Sequence, residues 1–232
     1  MVFSDTTTNQ GLYQDALFIV SQNSTSYPIA DFTRHANSAM DKVTGLILGA
    51  DGTWNWDDTN NTDLPIGTAD VISGQQDYSF DDDFIVIRDM EIEDSSGTLH
   101  KLIPLDRSQY TESLETVFAS SGLPIYYDKL GSSILLYPTP NYNNTGGLKA
   151  YFQRKGSYFA TTDTTKEPGI ANHLHRYISF SAAYDYALAK GLSQLNAIKN
   201  ELIEMEAKVK AFYSYREKDV KPTLQARREN TR

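Results

Sequence analysis

Two histidines two positions apart, His173 and His175, three consecutive aspartates, Asp81, Asp82 and Asp83, and two tryptophans set among acids, Trp54 and Trp56, are the residues whose types and spacing invite chemistry. The histidines open a helical pattern, and residues two apart on a helix point in different directions. That is poor geometry for a shared metal ion, so the pair reads as polar positions at a helix start or interface. The aspartate run offers hard oxygen ligands of the kind calcium takes, but it lies between two strand-like segments, where a solvated acidic turn is the commoner arrangement. Asp51 to Asp63 invites comparison with a calcium loop. The comparison fails, because Trp56 stands where that loop needs Gly and the closing Glu is absent. Trp54 and Trp56 are then either buried indoles that order their loop or exposed rings that stack on sugars.

The larger catalytic signatures are missing. No phosphate-binding glycine loop occurs, and no Gly-x-Ser-x-Gly elbow accompanies the four histidines. With 0 cysteines in 232 residues, disulfide frameworks, thiolate zinc sites, iron-sulfur clusters and cysteine nucleophiles are excluded. No catalytic residue, cofactor or metal site is expected. No apolar run approaches the roughly 20 residues that span a bilayer. The opening MVFSDTTTNQ has neither the basic start nor the apolar centre of a signal peptide, which points to a soluble protein made and kept in a cytoplasm.

The elements that would position these residues follow from periodicity. Ser, Thr, Asn and Gln dominate residues 1–26 around one apolar island, Leu12 to Val20, and the flanks read as a flexible arm. Ile29, Phe32, Ala36, Ala39, Met40, Val43, Leu46 and Ile47 recur at three and four residue steps, which predicts a helix from Pro28 to Leu48 with Gly49 after its last turn. The loop from Gly49 to Gly67 carries both tryptophans with Asp57 and Asp58. Between Ala69 and Arg154 the period shortens to that of strands, and seven segments separated by turn residues predict an antiparallel sandwich or open barrel. Arg107 to Ser121 reads instead as a short helix or an excursion. From Ala171 a spacing near 3.6 returns and runs to Phe212, with Gly191 as the break between two helices. The fold class is α+β: a helical bundle of one N-terminal helix and long C-terminal helices, an antiparallel β-sandwich or barrel-like domain, and a flexible C-terminal tail. The divisions are 1–26, an arm; 27–66, helix and tryptophan loop; 67–160, the β-rich domain; 161–215, helices completing the bundle; and 216–232, the tail.

Charge is distributed unevenly. Met1 to Ala150 holds 7 Lys+Arg and 21 Asp+Glu, a balance of -14, and Tyr151 to Arg232 holds 14 and 9, a balance of +5. An acidic body repels phosphate, so direct reading of DNA sequence is not expected, whereas a surface that DNA slides past would want this sign. The last seventeen residues carry 6 basic and 3 acidic side chains and little to bury. Fifteen tyrosines exceed what one small core encloses, and aromatics of this kind are favoured at interfaces; an aromatic-rich core is the competing reading.

Three stretches taken together resemble a known family. The helix start YPIADFTRHAN, the loop DGTWNWDDTNNTDLPIGTADVISGQQDYSF and the later LPIYYDKLGSSILLYPTPN are similar to the head-tail connector (adaptor) proteins of tailed bacteriophages, the short-tailed type above all. The resemblance implies a structural virion protein with no enzymatic role. Its partners would be the portal, a tail or nozzle protein, and further copies of itself in a homo-oligomeric ring of about twelve, through which DNA passes without sequence-specific binding. No membrane is implied. The location would be the neck or tail of the virion, with the host cytoplasm as the place of assembly. Within that frame Lys221, Arg227, Arg228 and Arg232 are the candidates for portal binding through the tail, and Tyr126, Tyr127, Tyr142, Tyr158, Tyr213 and Tyr215 are the subunit-interface candidates. Trp54, Trp56, Asp57 and Asp58 are expected to form a structural loop. Two other classes compete: a tail or adhesin module binding host glycan through Trp54 and Trp56, and a glycan-acting enzyme on a β scaffold using a carboxylate pair.

Overall fold

The structure, a computed structural model, describes residues 1–50, 56–80 and 84–215. In chain order its first elements are α1 (Leu12–Ile19), α2 (Ile29–Leu48), β1 (Ile66–Val71), β2 (Asp77–Ser79), β3 (Phe84–Glu93), β4 (Leu99–Lys101) and β5 (Ile103–Pro104). There follow α3 (Leu114–Val117), β6 (Tyr126–Leu130), β7 (Ser133–Tyr137), β8 (Asn144–Arg154), α4 (Arg176–Lys190) and α5 (Leu195–Tyr215), with short 3-10 turns at Arg107–Gln109 and Asn172–Leu174. The fold is α+β, and the chain divides into two compact units: residues 1–56 with residues 156 onward, and residues 57–155.

In the helical unit α4 packs against α1, α2 and α5. Pro28 starts α2 in an extended conformation, where its missing N–H costs nothing because a first turn has no acceptor for it. Phe32, Ala36, Ala39, Met40, Val43 and Ile47 then fall on one buried face. Gly191 ends α4 in the left-handed region (φ 64°, ψ 38°), with the Leu192 N–H returning to the Ala187 carbonyl at 3.0 Å. The break predicted at that glycine is therefore a helix cap of the Schellman kind.

Residues 1–26, expected to be a flexible arm, belong to the bundle. Phe3 is fully buried and stacks on Phe159 at 4.8 Å, and its backbone bonds to Lys166 and Tyr13. Met1, Val2 and Phe3 are three apolar residues ahead of a polar stretch and carry no period, so the sequence pattern gives no sign of the packing.

The β unit holds two four-stranded sheets, in the orders β1-β8-β3-β4 and β2-β7-β6-β5. All pairs are antiparallel except β5 with β6. Alternation sends Met90, Ile92, Leu148 and Ala150 of one sheet and Tyr127, Ile134 and Leu136 of the other into one shared core. The segment TLHKLIPLD, expected to be one strand, is two. Lys101 pairs with Glu91 on β3, the Leu102 N–H reaches Met90, and the next N–H, that of Ile103, already bonds to Ile125 beside β6. Leu102, 1% exposed, is the corner at which the chain changes sheets.

Candidate assembly interface

The tryptophan loop is positioned by one arginine. Arg154, at the end of β8 and 13% exposed, holds both carboxylate oxygens of Asp57 at 2.8 Å through Nε and Nη2. Its remaining donors reach the Asp63 carboxylate at 3.1 Å and the Asp63 carbonyl at 2.6 Å. The guanidinium fork matches a carboxylate in this two-point manner, and it draws Asp57 and Asp63 of the loop onto one strand end. The hydrogen bond from Arg154 holds the Asp63 carboxyl below its ordinary range, and the Asp57 carboxylate raises the guanidinium further above its own. Asp58 is buried and accepts the backbone and side-chain N–H groups of Asn60 at 2.8 Å. Trp56, 4% exposed, gives its indole N–H to the Gly169 carbonyl at 3.2 Å in the helical unit. A ring so enclosed cannot stack on a sugar, so the glycan reading loses Trp56. Trp54 lies outside the described residues, as do Asp81, Asp82 and Asp83.

Among the described residues eight tyrosines are buried, which favours the core reading for those eight. Tyr27 shows how a helical core accommodates a phenol: its ring stacks on Tyr186 at 4.0 Å and its hydroxyl lies 2.9 Å from His35 Nδ1 and 3.2 Å from the Ala182 carbonyl. Two of the interface candidates are buried within the chain. Tyr127 sits in the β core, and Tyr213 in the helical core with its hydroxyl accepting the Ala171 N–H at 3.2 Å. Tyr126 and Tyr142 are half-buried; Tyr126 pairs across strands with Tyr137 under Phe118, and Tyr142 donates to the Glu93 carbonyl. Tyr158, 43% exposed, donates to Asp41. Tyr215 closes α5, and Lys221, Arg227, Arg228 and Arg232 lie outside the described residues. The two late histidines part company as their spacing requires. His175 is buried between the Met1 amino group at 2.7 Å and the Ile170 carbonyl at 3.0 Å, and His173 is exposed with its ring edge-on to Phe212.

The family model of the SU10 adaptor protein matches residues 20–229 of the chain. The chain belongs to that family. It is therefore a phage head-tail adaptor of the short-tailed type, a structural virion protein. A comparison with curated proteins finds no match.

An adaptor works through its surfaces, and the two units of this one differ in what they expose. Residues 57–155 hold 16 Asp+Glu and 7 Lys+Arg, a balance of -9, and the rest of the chain holds 14 of each, so the β unit carries the adaptor's entire net charge. The front-to-back asymmetry of the sequence becomes, in the fold, an acidic β unit and a neutral helical one. The β5 edge of the second sheet is closed to strand addition: the Ile103 and Leu105 N–H groups bond to Ile125 and Tyr127, and Pro104 between them has none to offer. Ile103 and Ile125 are half exposed beside that edge, and on the helical unit Phe18, Leu188 and Ile203 are the large apolar side chains left in solvent. Among the described residues no cluster of His, Asp and Glu is arranged to hold a metal ion, and no helix is long and apolar enough to cross a membrane. Arg154 is the residue the sequence pattern did not single out. Its signal is a lone arginine closing an apolar strand, LKAYFQR, in a chain whose preceding loop holds surplus aspartates.

Proposed function

We propose that this adaptor assembles as a ring of about twelve copies below the portal, extends the channel that DNA traverses, and presents a platform to the tail or nozzle protein. The observation that carries the reading is the family match across residues 20–229. Two features support it. A β unit of charge -9 suits a conduit, because duplex binding is driven by phosphate neutralisation and an acidic wall gives DNA nothing to adhere to. The tail from residue 216, with Lys221, Arg227, Arg228 and Arg232, suits docking on an acidic face of the portal through charge-assisted hydrogen bonds. The protein then resides in the virion neck, having assembled in the host cytoplasm, and performs no catalysis.

The test is the mass of the full chain alone and mixed with portal particles of the same phage, by light scattering and then electron microscopy. A portal-bound ring supports the reading; a chain that stays monomeric in the presence of portal overturns it. A chain ending at Tyr215 should fold as the full chain does and fail to join the portal. Joining equally well removes the tail from the mechanism while leaving the ring.

A further inference from the structure

Between the 3-10 turn at Asn172–Leu174, the start of α4 and the middle of α5 lies a cleft of about 140 Å³. Small-molecule pockets run from about 300 Å³ upward, so this one has room for a side chain and little else. Its floor is apolar, made by Leu174, Met205 and Val209, and its rim is cationic, made by Arg176 and Lys208 with the exposed His173. Tyr177 also lines it. Its hydroxyl is buried, with the Ser181 hydroxyl and the Glu206 carboxylate close to it, so the rim cations and not the phenol are what the cleft leaves to a partner. Arg176 is held in place by Asp15 at 3.3 Å and by the Phe180 ring, whereas Lys208 has only an exposed contact with Glu204 at 4.0 Å, of the kind that contributes little and exchanges easily. The cleft therefore asks for a carboxylate beside an apolar group.

The chain itself offers one such pairing. Of the thirteen carboxylates among the described residues of the β unit, ten are engaged by arginine, lysine, histidine, hydroxyl, amide or backbone donors, and Asp77, Glu112 and Glu115 are not. The sequence neighbours of Asp77 are Gln76, which is polar, and Tyr78, which is buried. Glu112 and Glu115 are exposed on and beside α3, next to Val117, which is 40% exposed. Phe118 anchors that short helix by packing on Tyr137 at 5.2 Å and Tyr110 at 5.7 Å, so its outer edge is presented firmly.

We infer that the cleft receives the Glu115 and Val117 edge of α3 from a second copy of the chain, a heterologous contact repeating from copy to copy until it closes. The inference rests on the proposed ring, supplies its subunit contact, and uses two different surfaces per copy, as ring closure requires. The natural absence of cysteine makes the test direct. The full chain carrying both Glu115→Cys and Lys208→Cys, mildly oxidised, should give a ladder of disulfide-linked species, whereas either single variant should give dimers at most. Separately, Lys208→Glu should weaken association about tenfold and Glu115→Lys in the same chain should restore it. Unmodified chain is weighed in parallel, alone and with portal particles. If it forms rings but the double-cysteine chain gives no ladder, or only an internally linked monomer, the contact is wrong and the ring stands. If it forms no ring under either condition and no ladder appears, both fall.

Discussion

The helical unit gathers its core from both ends of the chain, whereas the β unit is one uninterrupted stretch. The first buries twenty-six hydrophobic residues in a single cluster, the second ten. Net charge runs the other way, with nothing on the helical unit and -9 on the β unit. The smaller core is supplemented by polar locks: Arg154 on Asp57 and Asp63, Arg107 on Asp128, and the Asp94 turn, whose carboxylate accepts from Ser96, Thr98 and His100. The contrast teaches that the two units resist unfolding by different means, packing in one and charge-assisted hydrogen bonds in the other. Perturbations of each kind should therefore fall on one unit and spare its neighbour.

The largest effect is expected from Phe32→Ala. Its ring is fully buried and packs on Phe3, Tyr13 and Tyr27 with centroids 5.2 to 6.1 Å away, so truncation removes transfer free energy and leaves a cavity. Loss of about 3–5 kcal/mol is expected, read in urea from the helical signal at 222 nm. Next is Arg154→Ala, which strands Asp57 and frees the loop; about 2–4 kcal/mol should be lost from the β unit, seen as faster amide exchange in β1 and β8 with the helices unchanged. Arg154→Lys should recover only part of it, since an ammonium cannot span both Asp57 oxygens. Exchange rising equally in both units after either substitution would end the comparison.

Where a residue repeats a period, the sequence announced it. Pro28, the apolar row to Ile47 and Gly191 were legible because helix starts, faces and caps each demand particular residue types at fixed places. The α+β class followed from the change of period at Ala69. What stayed hidden depends on partners far away along the chain. Phe3 has meaning only beside Phe159, Arg154 only beside Asp57, and the division of TLHKLIPLD only once β3 and β6 stand on opposite sides of Leu102. Tyrosine count left core and interface open for the same reason: a phenol beside a helix carbonyl, as Tyr27 is beside Ala182, can be interior, and composition cannot see the carbonyl. The tryptophan loop was legible as a loop, and the burial of Trp56 was one of two readings that residue type left open.

Gly191→Ala should cost about 1 kcal/mol. Nothing crowds the space a Cβ would fill, so the whole penalty is the left-handed backbone. Gly191→Asn, which tolerates that conformation better, should lose less. A loss from Gly191→Asn as large as that from Gly191→Ala would refute the left-handed cap as the reason for the glycine.

The smallest and most discriminating test is acidity. Burial pushes both His35 and His175 below the ordinary imidazole value of 6.5. His35 faces the Tyr27 hydroxyl and lies in the field of Asp31, Asp185, Arg34 and Lys42; His175 faces the Met1 ammonium and Glu167. Above pH 6.5 neither state of the chain holds the extra protons and nothing is gained or lost. As pH falls below that value the unfolded chain takes them up first, so the helical unit weakens. The Asp94 carboxyl behaves oppositely in position, because its hydrogen bonds from Ser96, His100 and Thr98 hold it below the ordinary 3.8. Its contribution is intact above that value and is lost only as pH falls through the lower folded one. Amide exchange between pH 7 and 5, corrected for its intrinsic rate, should thus rise in α2 and α4 while the β3–β4 hairpin holds, and His35→Gln with His175→Gln should flatten the helical response. A hairpin that loosens first would show that the histidines are not the acid-sensitive groups of this adaptor.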